Sequence, residues 1–93
     1  MVSETTRRVI YHGTVQGVGF RATTEHIARG FTVRGYVRNL ADGTVELLAS
    51  GASGEVDRFL EKILRQFGSN ISQVDEMPAP QEFSGQEFTI RYG

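Results

Sequence analysis

The chain has no cysteine, two histidines, no long apolar run and a net charge of only −1. Each shortage removes a class of function. Lack of cysteine excludes a disulfide scaffold, a thiolate metal site and a thiol nucleophile. With two histidines a zinc centre would lean on carboxylates, and no ligand cluster is visible, so no metal is expected. No segment approaches the ~18 apolar residues of a membrane span. The polar opening MVSETTRR lacks the apolar stretch of a secretory signal. A cytoplasmic location without a membrane partner is the resulting expectation. No repeat, low-complexity tract or interdomain linker interrupts the 93 residues, which fit a single domain over 1–93. A chain this short buries about 60–65% of its unfolded surface, enough for one two-layer core. Hydrophobic content of 39% argues for a folded domain over disorder.

The small net charge hides an asymmetry. Residues 1–40 carry six arginines against Glu4 and Glu25; residues 41–93 carry four basic and nine acidic groups. A basic first half suits a small anionic ligand, but charge sums alone favour a merely mixed surface.

What is present reads as alternating elements. Arg8 to Val15 is rich in β-formers and reads as a strand. Phe20, Thr24, Ile27, Ala28 and Phe31 then form one helical stripe, with Gly30 placed to end the helix in a left-handed conformation. Thr32–Leu40 and Thr44–Ser50 read as a hairpin around Ala41-Asp42-Gly43. Val45, Leu47 and Ala49 alternate onto one face of its second strand. The clearest helix is 54–67, with Val56, Phe59, Leu60, Ile63, Leu64 and Phe67 on one stripe, Ser53 as its cap and Gly68 closing it. Ile71–Met77 reads as a weaker strand ended by Pro78 and Pro80, and Phe88–Tyr92 as a last one. The order β-α-β-β-α-β plus a short C-terminal strand predicts an α+β fold. Two helices would lie side by side on one face of an antiparallel sheet, with the other face open to water.

Chemistry concentrates in Gly13–Arg21, GTVQGVGFR. A glycine-rich turn between strand and helix can aim successive backbone N–H groups at one spot, and the helix start adds its free N–H groups and positive dipole end. Arg21 falls in the first helical turn, where a cation opposes the dipole; that placement suggests an anionic partner. Its planar fork matches two phosphate oxygens. A P-loop is excluded because no Lys-Ser/Thr pair follows Gly19. Gly17-Val18-Gly19-Phe20-Arg21-Ala22 meets the loose dinucleotide pattern, but an antiparallel hairpin follows and the chain is too short for two nucleotide-binding halves. A purely conformational glycine turn explains these residues as well as anion binding does.

The second feature is Gly35-Tyr36-Val37-Arg38-Asn39-Leu40, running into Asp42-Gly43. A neutral amide at a strand end, such as Asn39, can hold a water by donating one hydrogen bond and accepting another; on its own, an Asn before a turn is usually just turn chemistry. Arg38 should point to the opposite sheet face. His12 reads as a strand histidine without a catalytic role, and His26 as a surface residue.

Together the two segments resemble the paired signature of the acylphosphatase family. The likeness rests on VQGVGFR as an unbroken block, on VRN-x-x-DG-x-VE after it, and on the separation of Arg21 from Asn39. It extends through the second helix to the closing FTIRY, hence over nearly the whole chain. Two positions depart from the pattern. Tyr36 stands where tryptophan is common, and GSNIS replaces the more usual Gly-Pro after the second helix. Neither touches the proposed site. The resemblance implies a ferredoxin-like two-layer sandwich and hydrolysis of acyl phosphates to a carboxylate and inorganic phosphate. It makes Arg21 the phosphate-binding arginine, Asn39 the water-orienting asparagine, and Gln16, Gly17, Val18, Gly19 and Phe20 the phosphate cradle. No cofactor is implied, and a monomer is the default.

The chemistry suits so sparse a site. An acyl phosphate leaves as a carboxylate whose conjugate acid has a pKa of about 4, so it needs little help from a general acid. Positioning and charge stabilisation remain. Two other classes compete. A non-catalytic phosphate-binding module would share loop and fold but turn nothing over. Single-stranded RNA binding on the helix-free face would need aromatics on the central strands, and TVELLAS has none, so no nucleic-acid partner is expected. Larger carbamoyl-transferring proteins carry a similar domain beside cysteine-rich modules, which are absent here.

Overall fold

The computed structural model describes residues 3–92. Seven elements follow one another: β1 (Glu4–Gly13), α1 (Phe20–Ala28), β2 (Val33–Asn39), β3 (Val45–Ala52), α2 (Ser53–Phe67), β4 (Ile71–Met77) and β5 (Phe88–Arg91). They build one five-stranded sheet in the order β4-β1-β3-β2-β5, the ferredoxin-like arrangement expected from the element order. The β2–β3 hairpin has Asn39 opposite Val45, and β1 lies between β3 and β4. The last strand departs from the expected all-antiparallel sheet: β5 runs parallel to β2, with Val37 opposite Ile90. The segment after β4 crosses to the far sheet edge, so β5 enters beside β2 in the same direction.

Both helices lie on one face. The stripe of α2 buries Val56, Phe59, Leu60, Ile63 and Phe67 against Val9, Tyr11, Leu47 and Ala49 of the sheet. Each such side chain contributes roughly 1.5–3 kcal/mol. Leu64, expected on that stripe, lies at its margin and is 43% exposed. Phe20 opens α1 and stacks on Phe67, ring centroids 4.4 Å apart, with Tyr11 at 5.2 Å on another side. Phe88 meets Phe59 edge-on at 5.2 Å, an aromatic contact between β5 and α2.

Several local expectations are corrected. β1 begins at Glu4 rather than Arg8, because the polar residues before Arg8 extend the ladder against Gly51 and Ser50; Thr6 Oγ1 and Ser50 Oγ share a hydrogen bond of 2.8 Å. It ends at Gly13 rather than Val15. Ser53 lies inside α2 rather than capping it, and Ala52 stands at the cap position without a side-chain bond. Gly30 is not left-handed; α1 ends through short-range bonds from the Arg29 and Gly30 N–H groups to His26 and Ile27 carbonyls.

The face without helices is also less open than expected. Glu46, Leu48 and Ser50 of β3 are buried there. Glu46 is clamped by Arg8 Nε at 2.7 Å and Arg38 Nε at 2.6 Å. The 78–87 segment passes over the same face on its way to β5. Gln81 O accepts a long bond from the Thr6 hydroxyl, Phe83 O accepts one from Arg34 Nε, and the Phe83 ring lies 6.2 Å from Tyr36. Arg38 therefore points where its strand parity requires, away from Asn39. No helix is long and apolar enough to cross a membrane among the described residues.

Candidate active site

The link between β1 and α1 cannot continue either element. Gly17 and Gly19 adopt φ of 78° and 75°, the left-handed region that favours glycine, and Gly19 sits directly before the first turn of α1. A Cβ at either glycine would meet nothing within 4 Å, so backbone conformation, not crowding, demands them. Among the described residues, no backbone N–H from Val15 to Ala22 donates to a protein acceptor; the first bond closing α1 runs from Thr23 N–H to Gly19 O. Unpaired N–H groups in succession, at the positive end of a helix, form a concavity suited to an anion.

This loop borders a shallow pocket of about 160 Å³. Gly17, Gly19, Phe20 and Arg21 line one side, Asn39 from the end of β2 another, and Tyr92 just beyond β5 a third. Strand parity explains Asn39: it shares the helix-side face with Val37, two residues before it. Parity also places Tyr92 in line with Phe88 and Ile90. The alternation of FTIRY carries that signal in the sequence, whereas the nearness of Tyr92 to the loop does not show there. Arg21 is the only charged residue lining the pocket and has no carboxylate partner among the described residues. Its guanidinium instead lies 4.9 Å from the centroid of the Tyr92 ring.

The other expected cradle residues fall differently. The Phe20 ring is in the core, so what Phe20 can offer an anion is its N–H. Val18 is 41% exposed and does not line the pocket. The Gln16 side chain turns away to the hairpin, where its Nε2 donates to Leu40 O at 2.8 Å and Thr44 O at 2.9 Å.

The turn after Asn39 is fixed by Asp42, whose Oδ1 accepts from the Thr44 hydroxyl at 2.6 Å and the Thr44 N–H at 3.0 Å. Those bonds hold its carboxyl below the usual carboxylate range. His12 lies outside the pocket lining, its Nε2 2.7 Å from Asp75 Oδ2, and His26 is exposed on α1. No group of three or more potential metal ligands occurs among the described residues. Arg21, Gly17, Gly19 and the neutral amide residue Asn39 thus line one pocket. Such a set can bind and orient an anion and a water; it offers no side-chain carboxylate or imidazole to move a proton.

Comparison with known proteins matches residues 7–90 to the acylphosphatase family model. An acylphosphatase of Yersinia pseudotuberculosis is 42% identical over 87 residues, covering 87% of this chain and 89% of that protein. The crystal structure of acylphosphatase from Bacillus subtilis superimposes with a TM-score of 0.84 at 30% identity, covering 97% of this chain and all of that one. An acylphosphatase structure from Coxiella burnetii gives a TM-score of 0.79 at 29% identity, covering 95% and 93% of the two chains.

Proposed function

Since the chain belongs to the acylphosphatase family and is an acylphosphatase enzyme, we propose that it hydrolyses small acyl phosphates by direct attack of water on a phosphoryl group held in the Gly13–Arg21 loop. In this reading the backbone N–H groups from Gln16 to Phe20, with the Arg21 guanidinium, hold the phosphoryl oxygens. Charge spread over those oxygens in the transition state is met by fixed donors that need no reorganisation. Asn39 holds the water opposite the leaving oxygen; the water's oxygen bonds to phosphorus as the bond from phosphorus to the acyl oxygen breaks, and the water's proton passes to a phosphoryl oxygen, so both protons leave on the inorganic phosphate. The products are the carboxylate and inorganic phosphate. The leaving group needs no protonation, which agrees with a pocket free of carboxylate and imidazole. The reading invokes no metal or cofactor.

The observation that carries this reading is the convergence of Arg21 and Asn39, from separate elements, on the pocket bordered by the unpaired loop N–H groups. Hydrolysis of benzoyl phosphate in the presence of EDTA tests it, comparing wild type with Arg21→Gln and Asn39→Ala. Arg21→Gln should lose phosphate affinity and turnover together. Asn39→Ala should lose turnover while inorganic phosphate still binds. Full activity of Asn39→Ala would remove the water-holding role. Phosphate binding by a wild type that turns nothing over would leave a binding module.

A further inference from the structure

We propose that the Gln16 side chain is a positioning residue that locks the loop to the strand end carrying Asn39; this rests on the acyl phosphate reading given above. The loop and Asn39 belong to separate parts of the fold. The loop hangs between β1 and α1, whereas Asn39 ends β2. Val15 anchors the loop in the core by apolar contact, which resists withdrawal but has little directional preference. The Gln16 amide supplies the direction. Its two N–H hydrogens serve two carbonyls, Leu40 O at 2.8 Å and Thr44 O at 2.9 Å.

Those carbonyls are the two legs of the hairpin where it turns. Leu40 directly follows Asn39, and Thr44 directly precedes Val45, the cross-strand partner of Asn39. Thr44 O also accepts from Leu40 N–H at 2.9 Å, so the amide adds to a turn already closed on itself and braced by Asp42. Among the described residues, this is the polar tether between the 15–19 loop and the hairpin. It sets the distance between the phosphoryl group in the loop and the water on Asn39. In-line displacement is sensitive to that distance: a misplacement near 1 Å costs roughly 100-fold in rate. Gln16 never touches the reacting atoms through its side chain. Its effect passes through Asn39.

The test is a double-mutant cycle. Gln16→Met keeps the length of the side chain and removes both donors; Gln16→Glu keeps its shape and sets carboxylate oxygens against the carbonyls. Each is made in wild type and in Asn39→Ala, and kcat on benzoyl phosphate is measured beside competitive inhibition by inorganic phosphate. Both should lower kcat by roughly 10–100-fold in wild type, with phosphate affinity changed less than about 3-fold. In Asn39→Ala the same substitutions should change the residual rate less than about 3-fold, because no held water remains to be misplaced. Equal losses in both backgrounds would overturn the proposal, as would a loss seen mainly in phosphate affinity. Retained phosphate affinity also shows that the variants are folded. An inactive wild type, or a fully active Asn39→Ala, would sink the underlying reading itself, whereas additivity alone sinks only the role of Gln16.

Discussion

The Arg21 guanidinium lies 4.9 Å from the centroid of the Tyr92 ring, joining the first turn of α1 to the residue after β5. Tyr92 is 77% exposed, so the stack confines the arginine without burying it. Exposed stacks of this kind contribute about 0.5–1 kcal/mol. Tyr92→Ala should therefore raise KM and weaken phosphate inhibition by about 2–5-fold, with kcat less affected. Steady-state kinetics on benzoyl phosphate checks this; an unchanged KM would show that Arg21 is held by its helix alone.

Two glycines should fail for different reasons. Gly19→Ala strains a left-handed residue by roughly 1–2 kcal/mol, yet the methyl would project into open space. A folded protein with impaired phosphate binding is expected. At Gly35 a Cβ would overlap the Leu48 carbonyl across the β2–β3 ladder. Gly35→Ala should cost about 3 kcal/mol or more, because backbone would have to move. Urea unfolding and phosphate titration of both variants separate the two effects.

Glu46 gives the helix-free face a pH dependence. Removal from water raises its pKa, but hydrogen bonds from Arg38 and Arg8 outweigh that, and the net shift is downward. A carboxyl whose folded pKa is depressed adds stability above its unfolded value near 4.5, and this is lost as pH falls through the folded value. Glu46→Gln should cost stability at pH 7, toward the lower end of about 3–5 kcal/mol, since both guanidiniums reach water. The gap between variant and wild type should narrow as pH falls below about 4.5. Urea midpoints across that range decide it; a gap that stays constant would mean that charge is not what the clamp contributes.

Thr24 carries a fully buried hydroxyl with no hydrogen-bond partner among the described residues. Thr24→Val keeps the shape and removes the unpaired group. A gain of about 1 kcal/mol is expected, with Tm rising by about 4–8 °C. A lower Tm would point to a bond made in solution by that hydroxyl.

Periodicity made the core legible. The stripes of α1 and α2 and the alternation of Val45, Leu47 and Ala49 depend only on which residues face one another along a single element. Gly17 and Gly19 were legible because their backbone requirement is local. Contacts made across the fold were not. Parallel entry of β5 depends on the path of 78–87, a segment with no period of its own. The Gln16 tie joins residues 24 and 28 positions apart. The Glu46 clamp leaves no signal in the sequence, because Arg8 and Arg38 reach it only once three strands are aligned. Tyr92 lay within an alternating run, but only the sheet order brings that run beside Arg21.

Parallel docking of β5 gives refolding a clock. The pocket draws on the first loop, the middle hairpin and the segment after the last strand, and β2 meets β5 only after some fifty intervening residues have been placed. Closing so long a span is slow compared with collapse of the local hairpin and helices. Return of turnover after dilution from denaturant therefore times the closure of the chain's two distant halves, whereas circular dichroism follows earlier events. A lag between the two signals would measure the interval between having a core and having a catalyst.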